Sequence, residues 1–488
     1  MMSILLTIAI LLSTVSGDSR IRSEYSWPSP AGVLDKTWQS NALAYYQRLR
    51  LTHDRWHAVL LTEKDIGEEW GDLLTGGVSY TNSDKFSLAA GGLRLQFAHG
   101  LVLSHPGPWS GTDPLALSKS PKWRMRSEVS ESPSANDANP FNGLSSVYNS
   151  GHYSLSAALG WSLIDSGSSG LHQTETDINN QDSITDKLAA IRIGYKSFGI
   201  SYAYSEQEED GTIQSFPRAG FDFNIETDES ILTGELALGS DSSANFIVAA
   251  GRGLPQFRHT LTLSRHTTDL PRSSEIFGAD HNLGAGYGIR WRPLNNFTID
   301  AGALFFDREG EDLFKAALQF SERLPNRFIL TERVKISTSS SETTTQAQIA
   351  AVWSPFPDLT LSLKFPFAFY RSNEAADQNG GGVEIRLKHS PSQKIDLVVS
   401  MAAASTDGWN SRVYAYSLSF PGEFGSRPLY NSSRLLQSSV SLHLSEETIL
   451  RIKASWFSMP GQDYLGSGDN ETEGSSKTAA GIQLDWKF

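Results

Sequence analysis

The chain has 488 residues, with 54 Asp or Glu against 41 Lys or Arg, a formal net charge of −13, and no cysteine. The missing cysteine excludes disulfides, Cys-ligated zinc, iron–sulfur clusters and a Cys nucleophile, and the acidic excess argues against a dedicated nucleic-acid binder. Only 19% of residues are charged, which excludes a long disordered polyelectrolyte, and after residue 17 no apolar run approaches the ~18 residues of a membrane helix. Half-apolar membrane strands remain open.

Residues 1–17 read MMSILLTIAILLSTVSG, a compact apolar run over 4–12 followed by Ser13, Thr14, Val15, Ser16 and Gly17. This is the layout of a cleaved signal peptide, although no Lys or Arg precedes the run. It predicts export, a mature chain starting near residue 18, and a short periplasmic segment over 18–41. Export without cysteine suits a Gram-negative envelope protein, since free thiols are oxidised in the periplasm.

From residue 42 onward helical periodicity is nearly absent, and stretches of about ten residues alternate strictly between turn-forming clusters. Over 153–163, Tyr153, Leu155, Leu159, Trp161 and Leu163 oppose Ser154, Ser156, Gly160 and Ser162. Over 296–305, Phe297, Ile299, Ala301, Ala303 and Phe305 oppose Thr298, Asp300 and Gly302. The clearest case is 358–369: Leu359, Leu361, Leu363, Phe365, Phe367 and Phe369 point one way, and Asp358, Thr360, Ser362, Lys364, Pro366 and Ala368 the other. Over 394–403, Ile395, Leu397, Val399 and Met401 oppose Lys394, Asp396 and Ser400. Further strands are predicted at 42–51, 54–63, 85–104, 188–195, 198–205, 231–238, 244–252, 258–264, 283–292, 313–322, 327–336, 345–354, 381–388, 411–419, 434–444, 448–457 and 478–488.

Short turns such as 293–295, 324–326, 355–357, 390–392 and 445–447 alternate with long polar stretches such as 165–187, 206–230, 370–380 and 458–477. At ~20–22 residues per strand and connection, the pattern predicts an all-β, antiparallel transmembrane β-barrel of roughly 20 strands over 42–488, with short periplasmic turns and long extracellular loops. Counted back from the C-terminus, strict alternation places the 445–447 turn in the periplasm and the equally short 390–392 turn outside. The mismatch predicts a merged or missed strand between 403 and 433.

Lipid rather than water is predicted outside the barrel for three reasons. The strands are longer than the ~5–6 residues of ordinary strands. The inward face is polar, with Asp300, Lys364, Lys394, Asp396, Arg451 and Lys453 on it. The last strand carries Ala480, Ile482, Leu484, Trp486 and Phe488 at every second position and ends on Phe488. Leu484, Trp486 and Phe488 look like the C-terminal signal read by the barrel-assembly machinery, which together with outer-membrane lipid and lipopolysaccharide is the expected partner.

Three segments carry a family resemblance: Gly91-Gly92-Leu93-Arg94-Leu95-Gln96-Phe97-Ala98-His99-Gly100-Leu101-Val102-Leu103, Ser411-Arg412-Val413-Tyr414-Ala415-Tyr416, and Gly466-Ser467-Gly468-Asp469-Asn470-Glu471. In this order they resemble a largely uncharacterised family of Bacteroidetes-type outer-membrane barrels, over about residues 42–488. The first looks like that family's G-x-x-x-x-x-F-G-Q-G-L-V-L strand pair, with Ala98-His99 in place of Gly-Gln. Members often carry N-terminal helix-hairpin-helix repeats and are described as DNA-binding for that module. Residues 18–41 are too short for such repeats, so the resemblance implies fold and location but no reaction and no direct nucleic-acid contact.

No site of chemistry stands out. There is no G-x-S-x-G elbow, H-E-x-x-H, P-loop or dinucleotide fingerprint, and no cofactor or metal site is predicted. His53 and His57 share a strand-hairpin segment and would lie too far apart for one metal, and His443 is expected alone in the lumen. Acidic clusters are expected on three loops: Glu63, Asp65, Glu68, Glu69 and Asp72; Glu206, Glu208, Glu209 and Asp210; and Asp222, Glu226, Asp228 and Glu229. They are either solvated surface, a vestibule that concentrates cations, or carboxylates bridged by divalent ions to lipopolysaccharide. The long segment 106–150 carries Lys119, Lys122, Arg124 and Arg126, a candidate pore loop that either narrows the lumen or lies on the surface.

These features predict a non-enzymatic, porin-like channel for small polar solutes, the solute being unspecified. The rival is a non-conducting scaffold or binding barrel. A nucleic-acid uptake port follows from family analogy alone.

Overall fold

The computed structural model describes residues 15–70, 73–82, 85–104, 113–118, 128–131, 141–164, 173, 183–239, 243–266, 281–308, 311–421 and 425–488. Strands alternating with tight turns pair antiparallel, each with its neighbour along the chain, and the first, Ser16–Trp27, pairs with the last, Ser476–Lys487. The result is a closed antiparallel barrel of 24 strands. Closure leaves no sheet edge, so every wall strand has a hydrogen-bonding neighbour on both sides, as a span through hydrocarbon requires. No helix among the described residues is long and apolar enough to cross a membrane.

Burial is inverted relative to a soluble sheet. On Phe198–Glu209 the apolar Phe198, Ile200 and Tyr202 are 46, 66 and 46% exposed, while Ser201, Ala203 and Ser205 are at most 2% exposed. On this strand the large apolar side chains therefore face outward, and small or polar ones face in. Leu361, Phe365, Phe367 and Phe369 follow the same rule, as the alternation over 358–369 predicts.

The eleven connections at one rim have two to four residues each. The other rim carries the long ones, among them 28–42, 65–72, 97–141, 407–431 and 459–475. Wall-strand parity closes without remainder, and the reason for the predicted mismatch is the reverse of a missed strand. The segment 411–419 is not in the wall: Val413–Tyr416 pairs with Ser426–Leu429 as a separate hairpin inside the barrel. Four wall strands escaped prediction, namely Ser16–Trp27, Leu73–Asn82, Asn142–Ser150 and Thr212–Glu226.

Two predicted boundaries need correction. Residues 18–27 are not a periplasmic segment but part of the first wall strand, seated in register on 478–487, with 18–25 also paired to 43–50. The long loop is 97–141 rather than 106–150, because Asn142–Ser150 is wall. The strand predicted at 85–104 stops at Gln96, and the familiar-looking residues 97–103 turn inward instead of extending the wall.

Candidate functional site in the barrel lumen

Two loops from the long-loop rim fold into the lumen. The first begins where Phe86–Gln96 ends. Ala98 (φ 48) and Gly100 (φ 89) reverse the chain in a tight turn closed by the Phe97 N–H to Leu103 carbonyl bond of 2.9 Å. Phe97, Leu101, Val102 and Leu103 are fully buried against inward wall residues Ala203, Ala237, Ile247, Leu304 and Phe306. Polar wall groups pin the turn. The Glu235 carboxylate accepts the Leu101 and Val102 amides at 3.1 and 3.0 Å, Arg218 Nη1 donates to the Val102 carbonyl at 3.1 Å, and His99 Nε2 lies 2.9 Å from Thr233 Oγ1. Beside it Arg192 and Asp222 form a buried two-point ion pair at 2.9 and 2.6 Å.

Further along the same loop, Pro114–Ser118 forms a 3-10 turn that lies directly on the wall strands His281–Leu294 and Phe297–Arg308. Gly288 and Gly302 make this approach possible, since a Cβ at either would collide with the backbone of Leu117 or Pro114. Asp113 then reaches Arg333 at 2.8 Å.

Glu235→Ala would leave two buried amides without an acceptor, at a cost of about 1–3 kcal/mol for each unpaired group. Amide hydrogen exchange across 97–104 is expected to rise in Glu235→Ala, and less in Glu235→Gln, which keeps one acceptor oxygen. Exchange equal to wild type in the Ala variant would mean that apolar packing alone holds the turn.

The second inner loop is the hairpin at 413–429. Val413, Ala415, Leu418, Phe420 and Leu429 face the wall and are buried, while Tyr414 and Tyr416 face away from it. Wall side chains hold its backbone: Lys364 Nζ donates to the Tyr414 carbonyl at 2.6 Å, the Tyr416 amide donates to Glu384 at 3.1 Å, and Arg20 Nη1 donates to the Pro421 carbonyl at 2.6 Å. Arg386 stacks 4.5 Å from the Tyr416 ring and Lys453 4.5 Å from Phe420.

Below this hairpin the inward wall is charged and paired. Asp485 takes Arg20 at 2.6 Å and also Arg451, Glu24 takes Lys453 at 2.6 Å, and Asp18 takes Arg48 at 2.8 Å, which links the first and last strands through side chains as well as backbone. Lys364, Asp300, Asp396, Arg451 and Lys453 thus face inward as predicted, whereas Lys394 sits exposed in the 393–394 turn at the rim. His443, expected alone, instead meets Asp396 at 3.1 Å.

Between the inner hairpin and the wall lies a cleft of about 170 Å³, lined by Arg333, Lys335, Gln346, Gln348, Lys364 and Arg412 among others, with no acid among the described lining residues. The alternation places its wall residues on the inner face at mid-strand, since Arg333 pairs with Gln348, Lys335 with Gln346, and Lys364 with Ala350.

The predicted pore-loop residues Lys119, Lys122, Arg124 and Arg126 lie outside the described residues. The three predicted acidic loops do not converge. Glu68 is buried and accepts the Asp65 amide at 2.7 Å, and Glu63 sits in the wall near Arg22. Glu206 and Glu208 meet Lys187 at 3.3 and 3.8 Å. Asp222 is a buried wall residue, and Glu229, paired with Arg252 at 3.0 Å, sits at the short-turn rim. Leu484, Trp486 and Phe488 share the outward face, with the Trp486 and Phe488 rings 4.9 Å apart. Sequence reasoning missed Glu235, Arg218 and the cleft residues Arg333, Lys335, Gln346 and Gln348. Their inward phase on alternating strands was the available signal. Among the described residues no three His, Cys, Asp or Glu side chains come together as a metal site would require.

No protein-family model matches the chain, and no curated protein does. Among solved structures it is similar to a mutant of the ferric enterobactin receptor PfeA from Pseudomonas aeruginosa, with 8% identity over 97% of this chain and 80% of that one and a TM-score of 0.50. It is also similar to the siderophore receptor PirA from Pseudomonas aeruginosa, with 9% identity, 97 and 80% coverage and a TM-score of 0.47. OmpT, an outer membrane protein of Vibrio cholerae, matches at 11% identity over 63% of this chain and 98% of that chain, with a TM-score of 0.33. At such identities the likeness is one of fold, that of an outer-membrane β-barrel.

Proposed function

We propose that the protein is an outer-membrane channel of porin type for small polar solutes, exported by a cleaved signal peptide and inserted by the barrel-assembly machinery. The observation that carries this reading is a wet, charged inner wall. The inward mid-strand side chains of Arg333 and Lys364 keep 34 and 23% of their surface exposed inside a closed barrel. A barrel of 24 strands is too wide for its own side chains to fill, and water reaches these groups although two loops pack inside.

One observation favours the rival, a barrel that binds at the surface without conducting. The fully buried apolar cluster around Phe97 and Leu101–Leu103 is a dry mass inside the lumen, of the kind that would close a path. Planar-bilayer recording separates the two. Purified protein is expected to give discrete conductance steps and to migrate faster on gels before boiling than after. Heat-modifiable protein that inserts but carries no current would replace the channel with the scaffold.

A further inference from the structure

We infer that the cleft between the inner hairpin and the wall is a binding site for an oxyanion group, the phosphate or carboxylate of a small solute. Four groups lining it lack acceptors. Lys335 has no hydrogen bond or ion pair with any described residue. The side-chain amides of Gln346 and Gln348 are likewise unpartnered among the described residues. Arg412 uses Nε on the Tyr414 hydroxyl at 2.8 Å and Nη1 on the Trp409 carbonyl at 2.9 Å, which fixes the guanidinium plane and leaves Nη2 without a protein acceptor among the described residues.

The remaining two cations are oriented by neighbours outside the lining. Arg333 is held by Asp113 at 2.8 Å, and Lys364 by Glu384 at 3.5 Å and by the Tyr414 carbonyl. Four cations against two flanking acids leave two positive charges in excess at the cleft. Such an excess is unusual in a chain with a net charge of −13, and it sits where an anion would be partly desolvated. A planar guanidinium locked on an aromatic face (Arg412 lies 4.5 Å from the Trp409 ring) presents its free edge as a rigid donor, which suits an oxyanion better than a halide. The volume accepts one such group with some of its water.

The site rests on the channel reading only for its role in permeation, and binding is measured apart from current. Calorimetry on the full chain in detergent, at low salt, uses inorganic phosphate and citrate as probes. Saturable, salt-sensitive binding is expected, weakened about tenfold by Lys335→Gln or Arg412→Gln, the loss of one charge-assisted hydrogen bond. Lys335→Gln breaks no hydrogen bond or ion pair among the described residues, so its unchanged gel shift would show an intact barrel. Binding of both probes supports the oxyanion class, and binding of one alone assigns phosphate or carboxylate. No binding of either probe, or binding unaltered in both variants, overturns the site. Binding without conductance would remove the channel and keep the site, and conductance without binding would do the opposite.

Discussion

Deleting Phe488, or changing it to Asp, is expected to lower the inserted barrel about tenfold while leaving export intact. Phe488 directly follows the last strand, its amide and carbonyl exchange hydrogen bonds with Gly17 at 3.0 and 2.7 Å, and its ring faces outward beside Trp486. Two roles are mixed in the deletion, closure of the seam and display of the aromatic. The Asp variant separates them, because it keeps the backbone pair. A charge near the membrane interface costs only about 0–1 kcal/mol, too little for a tenfold loss. If the defect lies in recognition by the assembly machinery, Phe488→Asp should refold into lipid vesicles almost as well as wild type and fail only in cells, and Phe488→Tyr should be near normal. Equal failure in vesicles would assign the defect to stability. Normal levels of both variants in the membrane fraction would remove the assembly signal.

The wall was largely legible because a barrel strand needs only one apolar face, and period-two alternation survives any inward sequence. Legibility failed where inward residues were charged. On Thr212–Glu226 the outward Ile213, Ala219, Phe221, Phe223 and Ile225 keep the alternation, yet Arg218, Asp222 and Glu226 made it read as a polar loop. The turn before it, Asp210-Gly211, has φ of 49 and 75, the geometry for which Asp-Gly is a strong hairpin signal. Charges that pair across strands inside a lumen look in sequence like charges on a surface, since pairing such as Arg192 with Asp222 is set by register, not by spacing. The first strand failed for the same reason, with Asp18, Arg20, Arg22 and Glu24 inward and only Ile21, Tyr25 and Trp27 as large outward side chains.

The inner hairpin failed in the opposite sense. Val413–Tyr416 alternates as well as any wall strand, with Val413 and Ala415 buried and Tyr414 and Tyr416 exposed. Its buried face packs on the inner side of the wall instead of on lipid, and local alternation does not distinguish the two. Only strand parity carries that information, and the parity mismatch across 403–433 was its trace. The site inherits this difficulty. The cleft needs Arg333, Lys364 and Arg412 together, from two wall strands and the hairpin, and no sequence period links them.

Replacing residues 408–430 by a short Gly/Ser turn is therefore expected to have the largest effect on current, raising single-channel conductance severalfold. The wall should survive the excision. Ile395–Thr406 and Ser432–His443 pair through eleven residues without the hairpin, and Thr406 and Asn431 already lie within hydrogen-bonding distance, so a tight turn can join them. The loss is apolar contact inside: Ala402, Ala404, Leu435 and Phe457 would face water, and the unfolding midpoint on heated gels should fall. The same excision removes Arg412 and the carbonyl that holds Lys364, so oxyanion binding should disappear while Lys335 and the two glutamines remain. An intact barrel with wild-type conductance would place the permeation path away from the hairpin. A silent wild type beside a conducting variant would identify the hairpin as the plug and make the resting barrel a closed one.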